Sequence, residues 1–140
     1  MTPFSTARYK VLVVDDDPSV LTCYRRLLER AGYTTRTESD PLRVLRDRDD
    51  ATGMDLLLID YKMPGMDGLT LLAELRRGEC RARCILVSAY LNDAVRQQAR
   101  MLGVDRVLEK PVDVGLLRAA LDELLPVSGL RAARAGGGAC

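Results

Sequence analysis

The sequence predicts an α/β fold: a doubly wound parallel sheet of about five strands alternating with five helices. Three observations point there. Short apolar runs such as Val11-Leu12-Val13-Val14 and Leu56-Leu57-Leu58-Ile59 are continuous rather than alternating, the mark of strands covered on both faces. Between the runs lie segments whose apolar residues recur at helical spacing. Runs and segments alternate along the chain with no internal repeat, and right-handed crossovers then build a three-layer sandwich.

Each element has its own signal. Lys10–Asp15 reads as the first strand. Asp17-Pro18 is an N-cap followed by proline at the first helical position, and Val20, Leu21, Tyr24, Leu27, Leu28 and Ala31 follow before a stop at Gly32. Cys23 falls within this pattern and reads as a small, buried or half-buried apolar residue. Tyr33–Glu38 is short and rich in β-branched residues, a strand. Asp40-Pro41 repeats the cap signal ahead of Leu42, Val44 and Leu45, while Asp47–Gly53 reads as a polar turn. Asp55–Asp60 is the next strand. Leu69, Leu71, Leu72 and Leu75 mark a helix entered from Gly68. Cys84–Ser88 is a further buried strand; Asn92 caps a helix carrying Val95, Ala99 and Leu102, ended by Gly103. Arg106–Glu109 is the last strand, and a helix from Val112 or Asp113 carries Leu116, Leu117, Ala120, Leu121, Leu124 and Leu125.

The 140 residues suffice for one domain with one sizeable core, expected over 10–125, with an N-terminal extension at 1–9 and a flexible tail at 126–140 whose composition shifts to glycine, alanine and arginine. A net charge of +1 gives no basic footprint for direct nucleic-acid contact. No apolar run approaches the ~20 residues of a membrane span, and Met1–Tyr9 has no signal-peptide core, so the expected location is the cytoplasm. Four cysteines and no histidine make a poor zinc set and exclude histidine acid–base chemistry within the chain.

In a doubly wound sheet, ligands sit at the carboxyl ends of the strands. Those ends carry Asp15, Asp16, Asp60, Ser88 and Lys110. Crowded carboxylates need a positive charge, and Asp15, Asp16 and Asp60 suit Mg²⁺, a hard cation that takes oxygen ligands and keeps waters. Asp60 can also act as a nucleophile, because carboxylate attack on phosphorus gives an aspartyl phosphate. Lys110 supplies a mobile point charge and Ser88 a hydroxyl for phosphoryl oxygens. Taken singly these residues are ordinary: Asp17 caps a helix, Asp60 opens a loop, Ser88 sits in a turn and Lys110 lies on the surface. Four strand ends with complementary chemistry on one edge make the joint reading.

Val13-Val14-Asp15-Asp16, Leu58-Ile59-Asp60-Tyr61-Lys62-Met63-Pro64-Gly65-Met66-Asp67-Gly68, Leu86-Val87-Ser88-Ala89 and Leu108-Glu109-Lys110-Pro111 resemble, in that order, the receiver domain of two-component response regulators. The resemblance runs from about Lys10 to Leu125. It implies a flavodoxin-like sheet of order 2-1-3-4-5. It implies that Asp60 accepts a phosphoryl group from a histidine kinase or histidine phosphotransfer protein, and that the chain is a signalling phosphoacceptor rather than an enzyme. Mg²⁺ would be held by Asp16, Asp60 and the main-chain carbonyl of Lys62, with Asp15 acting mainly through water. Ser88 would sense the phosphoryl group, Lys110 would pair with it, and the Lys110-Pro111 bond would be cis. Output would pass from a stand-alone receiver to a downstream protein of unknown identity, with phospho-dependent dimerisation left open.

The sequence departs from the family at Val107, where an aromatic three residues before the lysine is common. Switching of an aromatic rotamer is therefore in doubt there. Lys62 is a candidate for tuning phosphate lifetime, and Tyr90 for modulating partner contact or water access. Two rival readings stay open at this point. A haloacid-dehalogenase-type phosphatase would use Asp15, Asp17, Ser88 and Lys110 but leaves Asp60 unexplained. A phosphorylation-independent scaffold on the same fold would not use the acids at all.

Overall fold

The computed structural model describes residues 9–126; the expected extension and tail lie, save for their innermost residues, outside that range. Five parallel strands run β1 (Lys10–Val14), β2 (Thr34–Glu38), β3 (Leu56–Asp60), β4 (Arg83–Ser88) and β5 (Arg106–Glu109), in the spatial order β2-β1-β3-β4-β5. The helices are α1 (Pro18–Arg30), α2 (Pro41–Arg46), α3 (Arg48–Thr52), α4 (Gly68–Arg77), α5 (Asp93–Met101) and α6 (Val114–Leu124). The expected order is present, and predicted strand boundaries hold to within one residue.

Pleat alternation divides each central strand between two cores. Val11, Val13, Leu56, Leu58, Ile85 and Val87 face α1 and α6, packing on Leu21, Leu28, Leu117 and Leu121. Leu12, Val14, Leu57 and Ile59 face the other way onto Val44, Leu71, Leu72 and Leu75. Leu86 meets Leu69, Val95 and Ala99 in a third cluster. Complete burial of each such side chain contributes about 1.5–3 kcal/mol. This is why the strands read as unbroken apolar runs: both faces are inside.

The caps form as the sequence indicates. Asp17 accepts the Ser19 N–H and hydroxyl at 2.9 and 2.7 Å, Asp40 the Leu42 N–H at 2.9 Å, and Asn92 the Val95 N–H at 2.9 Å. Asp113 caps α6 by accepting the Leu116 N–H at 3.0 Å, so the helix proper starts at Val114.

Two expectations are corrected. Asp47–Gly53 is not wholly a turn: Arg48–Thr52 forms the one-turn α3, giving six helices rather than five among the described residues. One turn is too short to show periodicity, and its only buried residue is Ala51; Arg36 of β2 holds it by pairing with Asp47 and Asp50. Cys23 is exposed rather than buried. It lies two residues after the buried Leu21, roughly 200° around the helix and so on the outer side.

Candidate phosphoryl-acceptor site

The site is a product of strand register. Val14 pairs with Ile59, so the next residues, Asp15 and Asp60, emerge side by side. Asp60 pairs with Val87, which places Ser88 one step beyond it, and Ser88 pairs with Glu109, which brings Lys110 to the same edge. The Lys110 N–H donates to the Ser88 carbonyl at 2.9 Å, and the Lys110-Pro111 peptide is cis.

Asp15 and Asp60 are 2% and 6% exposed, while Asp16 faces solvent. Oxygen atoms of these three acids lie within 4.8 Å of one another. Lys110 bridges two of them, with Nζ 3.4 Å from Asp15 Oδ2 and 3.3 Å from Asp60 Oδ1. The other Asp15 oxygen accepts the Asp17 N–H at 2.9 Å, which fixes the carboxylate in place.

One ammonium does not neutralise three carboxylates, and the charges register this. Burial, then the neighbouring Asp15 carboxylate, push Asp60 up from 3.8 to about 6, against the pull of Lys110. Burial works to lower the Lys110 ammonium, but Asp15 and Asp60 outweigh it and the net shift is upward. A clustered, partly buried, all-oxygen donor set with surplus negative charge fits a divalent hard cation.

The remaining predicted residues surround this centre. Ser88 is fully buried, and its hydroxyl bonds to its own loop, donating to the Tyr90 carbonyl at 3.2 Å and accepting the Tyr90 N–H at 3.0 Å. Lys62 is exposed, with Nζ 5.5 Å from the centroid of the Tyr90 ring. Tyr90 is 69% exposed, so it is not a core aromatic. Val107 is half-buried against the cluster of Leu69, Leu86, Val95 and Ala99. Asp17, which the phosphatase reading would use, is not among the acids that meet; its carboxylate is committed to capping α1.

Two contributors were not visible in the sequence as parts of the site. Gly68 does more than open α4. A Cβ there would collide with the Asp60 carbonyl oxygen and lie 2.8 Å from Ile59 Cγ2, so only glycine lets the loop after β3 close under Asp60. That closure is sealed by the Gly68 N–H donating to the Tyr61 carbonyl at 2.7 Å. Tyr24 of α1 reads in sequence as an apolar position, yet burial first and then the Asp15 and Asp60 carboxylates push its phenol up to about 12. The signal for Gly68 was its place at the end of the Leu58–Gly68 block; Asp67 before it caps α4 by accepting the Thr70 N–H at 2.7 Å, and Tyr24 had no signal.

Comparison with known proteins agrees with this architecture. The family model described as "Response regulator receiver domain" matches residues 11–122. The chain is 30% identical to sporulation initiation phosphotransferase F of Bacillus subtilis, over 84% of this chain and 94% of that protein. It is 36% identical to the cyclic di-GMP phosphodiesterase response regulator RpfG of Xanthomonas campestris, over 82% of this chain but only 31% of that protein. Among solved structures, the chemotaxis protein CheY4 of Vibrio cholerae superposes with a TM-score of 0.77 at 25% identity, covering 84% of this chain and 98% of that one. With the fold, the register of the strand ends and the family match in agreement, the chain belongs to the response regulator receiver domains of two-component signalling.

Proposed function

We propose that Asp60 is the phosphoacceptor of this receiver, that phosphorylation is Mg²⁺-dependent, and that residues 10–125 act as a switch for protein–protein contacts. The observation that carries this is the buried Asp60 carboxylate at the end of central strand β3, paired with Lys110 and set among further acids. Burial and the Asp15 carboxylate raise the Asp60 pKa to about 6, so the carboxylate is mostly ionised at neutral pH, as a nucleophile must be.

In the transfer step an Asp60 oxygen forms a bond to phosphorus, and the bond from phosphorus to the donor breaks. The donor atom, an imidazole nitrogen of a histidine kinase or phosphotransfer protein or the acetate oxygen of acetyl phosphate, leaves with the electron pair. Asp16, Asp60 and the Lys62 carbonyl would hold Mg²⁺, with Asp15 beside it; the bound ion supplies charge neutralisation for the phosphoryl oxygens. Lys110 is already at Asp60 and balances a further oxygen. Ser88 lies one register step away and would turn its hydroxyl to the phosphoryl group.

The phosphoryl group adds about −1.5 to −2 charge and three acceptor oxygens. Drawing Ser88 and Lys110 toward it shifts the population of the loop after β4 and of the face formed by α5, β5 and α6. The downstream protein would read that face, and phospho-dependent dimerisation is one form such reading takes. A cytoplasmic location accords with the described residues, in which no helix is long and apolar enough to cross a membrane. Incubation with labelled acetyl phosphate and Mg²⁺ should label the parent chain and not Asp60→Asn; label retained on Asp60→Asn would defeat the assignment.

A further inference from the structure

The Ser88 hydroxyl is buried and committed to one neighbour, giving its hydrogen to the Tyr90 carbonyl and taking the Tyr90 N–H. The Tyr90 ring is exposed yet engaged, because the Lys62 ammonium lies over it. Lys62 belongs to the loop after β3, and that loop is itself fastened. The Tyr61 N–H donates to the Val87 carbonyl at 2.8 Å, and the Gly68 N–H closes onto Tyr61. The loops after β3 and β4 are thus joined by the contact of Lys62 with Tyr90, and the second loop is joined to Ser88 by two hydrogen bonds.

We propose that Lys62 and Tyr90 form a latch that holds the Ser88 loop in its phosphate-free arrangement, and that the latch weakens the hold of the site on a phosphoryl group. The proposal rests on the reading of Asp60 as phosphoacceptor and of Ser88 as its hydroxyl donor. A serine hydroxyl has one hydrogen. It cannot donate to the Tyr90 carbonyl and to a phosphoryl oxygen together, so its recruitment leaves that carbonyl without its donor and the loop resettles. The ring then moves off the ammonium. A contact made only in the phosphate-free arrangement opposes phosphorylation by its own strength, and removing it shifts the equilibrium toward the bound form. Lys62 and Tyr90 are positioning residues here, acting through Ser88 rather than on phosphorus. An exposed cation–π contact of ordinary strength corresponds to a change of about two- to fivefold in an equilibrium constant.

The test is the affinity of the full chain for beryllofluoride in the presence of Mg²⁺, measured by calorimetric titration. Lys62→Met and Tyr90→Leu should each tighten binding about two- to fivefold, and the double variant should be no tighter than either single one. Lys62→Arg and Tyr90→Phe keep a cation and a ring and should not show the tightening of Lys62→Met and Tyr90→Leu. Additive single effects, or tightening by the conservative variants, would overturn the latch. If Asp60→Asn loses binding while Lys62→Met and Tyr90→Leu bind like the parent, the latch alone fails. If Asp60→Asn binds the mimic as the parent does, the phosphoacceptor reading fails and the latch falls with it.

Discussion

Replacing Asp60 by asparagine should stabilise this protein at neutral pH while abolishing its labelling. The folded-state pKa of Asp60 is raised from 3.8 to about 6 by burial and by Asp15. Between those values the folded chain holds the proton more tightly than the unfolded chain does. The stability associated with this group is therefore greatest below about pH 4 and is lost as pH rises through about 6. At ~1.4 kcal/mol per unit, the rise from 3.8 to about 6 amounts to a loss of about 3 kcal/mol at neutral pH. Asparagine keeps the shape and cannot ionise, so the variant escapes the loss. Urea unfolding followed by far-ultraviolet circular dichroism, without divalent metal, should show Asp60→Asn more stable by about 3 kcal/mol near pH 7.5 and by only about 1 kcal/mol near pH 4.5. Added Mg²⁺ should narrow the neutral-pH gap, since the parent site binds the ion better. A variant no more stable than the parent at neutral pH, or a gap that does not shrink on acidification, would mean that Lys110 already offsets the burial of Asp60, and the reasoning would be refuted.

Further outcomes follow from other parts of the fold. Asp16→Asn removes an exposed acid of the cluster and should leave metal-free stability nearly unchanged while blunting the rise in melting temperature on Mg²⁺ addition; an undiminished rise would place the ion elsewhere. Gly68→Ala drives a methyl group against the Asp60 carbonyl and Ile59, so it should cost about 1–3 kcal/mol in urea unfolding and also lower acetyl-phosphate labelling. Arg76 of α4 donates to the carbonyls of Ala82 at 2.7 Å and Cys80 at 3.0 Å, tying the helix end to the approach to β4. Arg76→Ala should therefore destabilise by about 1–3 kcal/mol with labelling intact, read by urea unfolding and the labelling assay together.

Much of this architecture is legible in the one-dimensional pattern. A strand buried on both faces must be apolar at every position, so Val11–Val14 and Leu56–Ile59 announce themselves without alignment. Asp17, Asp40 and Asn92 are equally plain, because a cap is a local bond within three residues. Failures came where local signal and final environment part. Cys23 sits inside an apolar-looking stretch but on the outer side of α1, and the one-turn α3 is met by Arg36 from another element, which pairs with Asp47 and Asp50. Val107 reads as a departure from the family pattern, and the structure adds only that it is packed among Leu69, Leu86, Val95 and Ala99.

The order of elements and the chemical identity of every strand end are properties of the chain itself, since burial pattern, caps and turns act over a few residues. Whether those ends become a site was decided in three dimensions. Parallel register sets Asp15 beside Asp60, and Lys110 reaches both, the first of them across 95 residues of sequence. The Ser88 hydroxyl's choice of Tyr90, the contact of Lys62 with the ring, and the need for glycine at position 68 depend on distances between loops that no local pattern encodes. Electrostatics follows the same division: three carboxylates are written in the sequence, but only the burial of Asp60 and the closeness of Asp15 lift Asp60 from 3.8 to about 6.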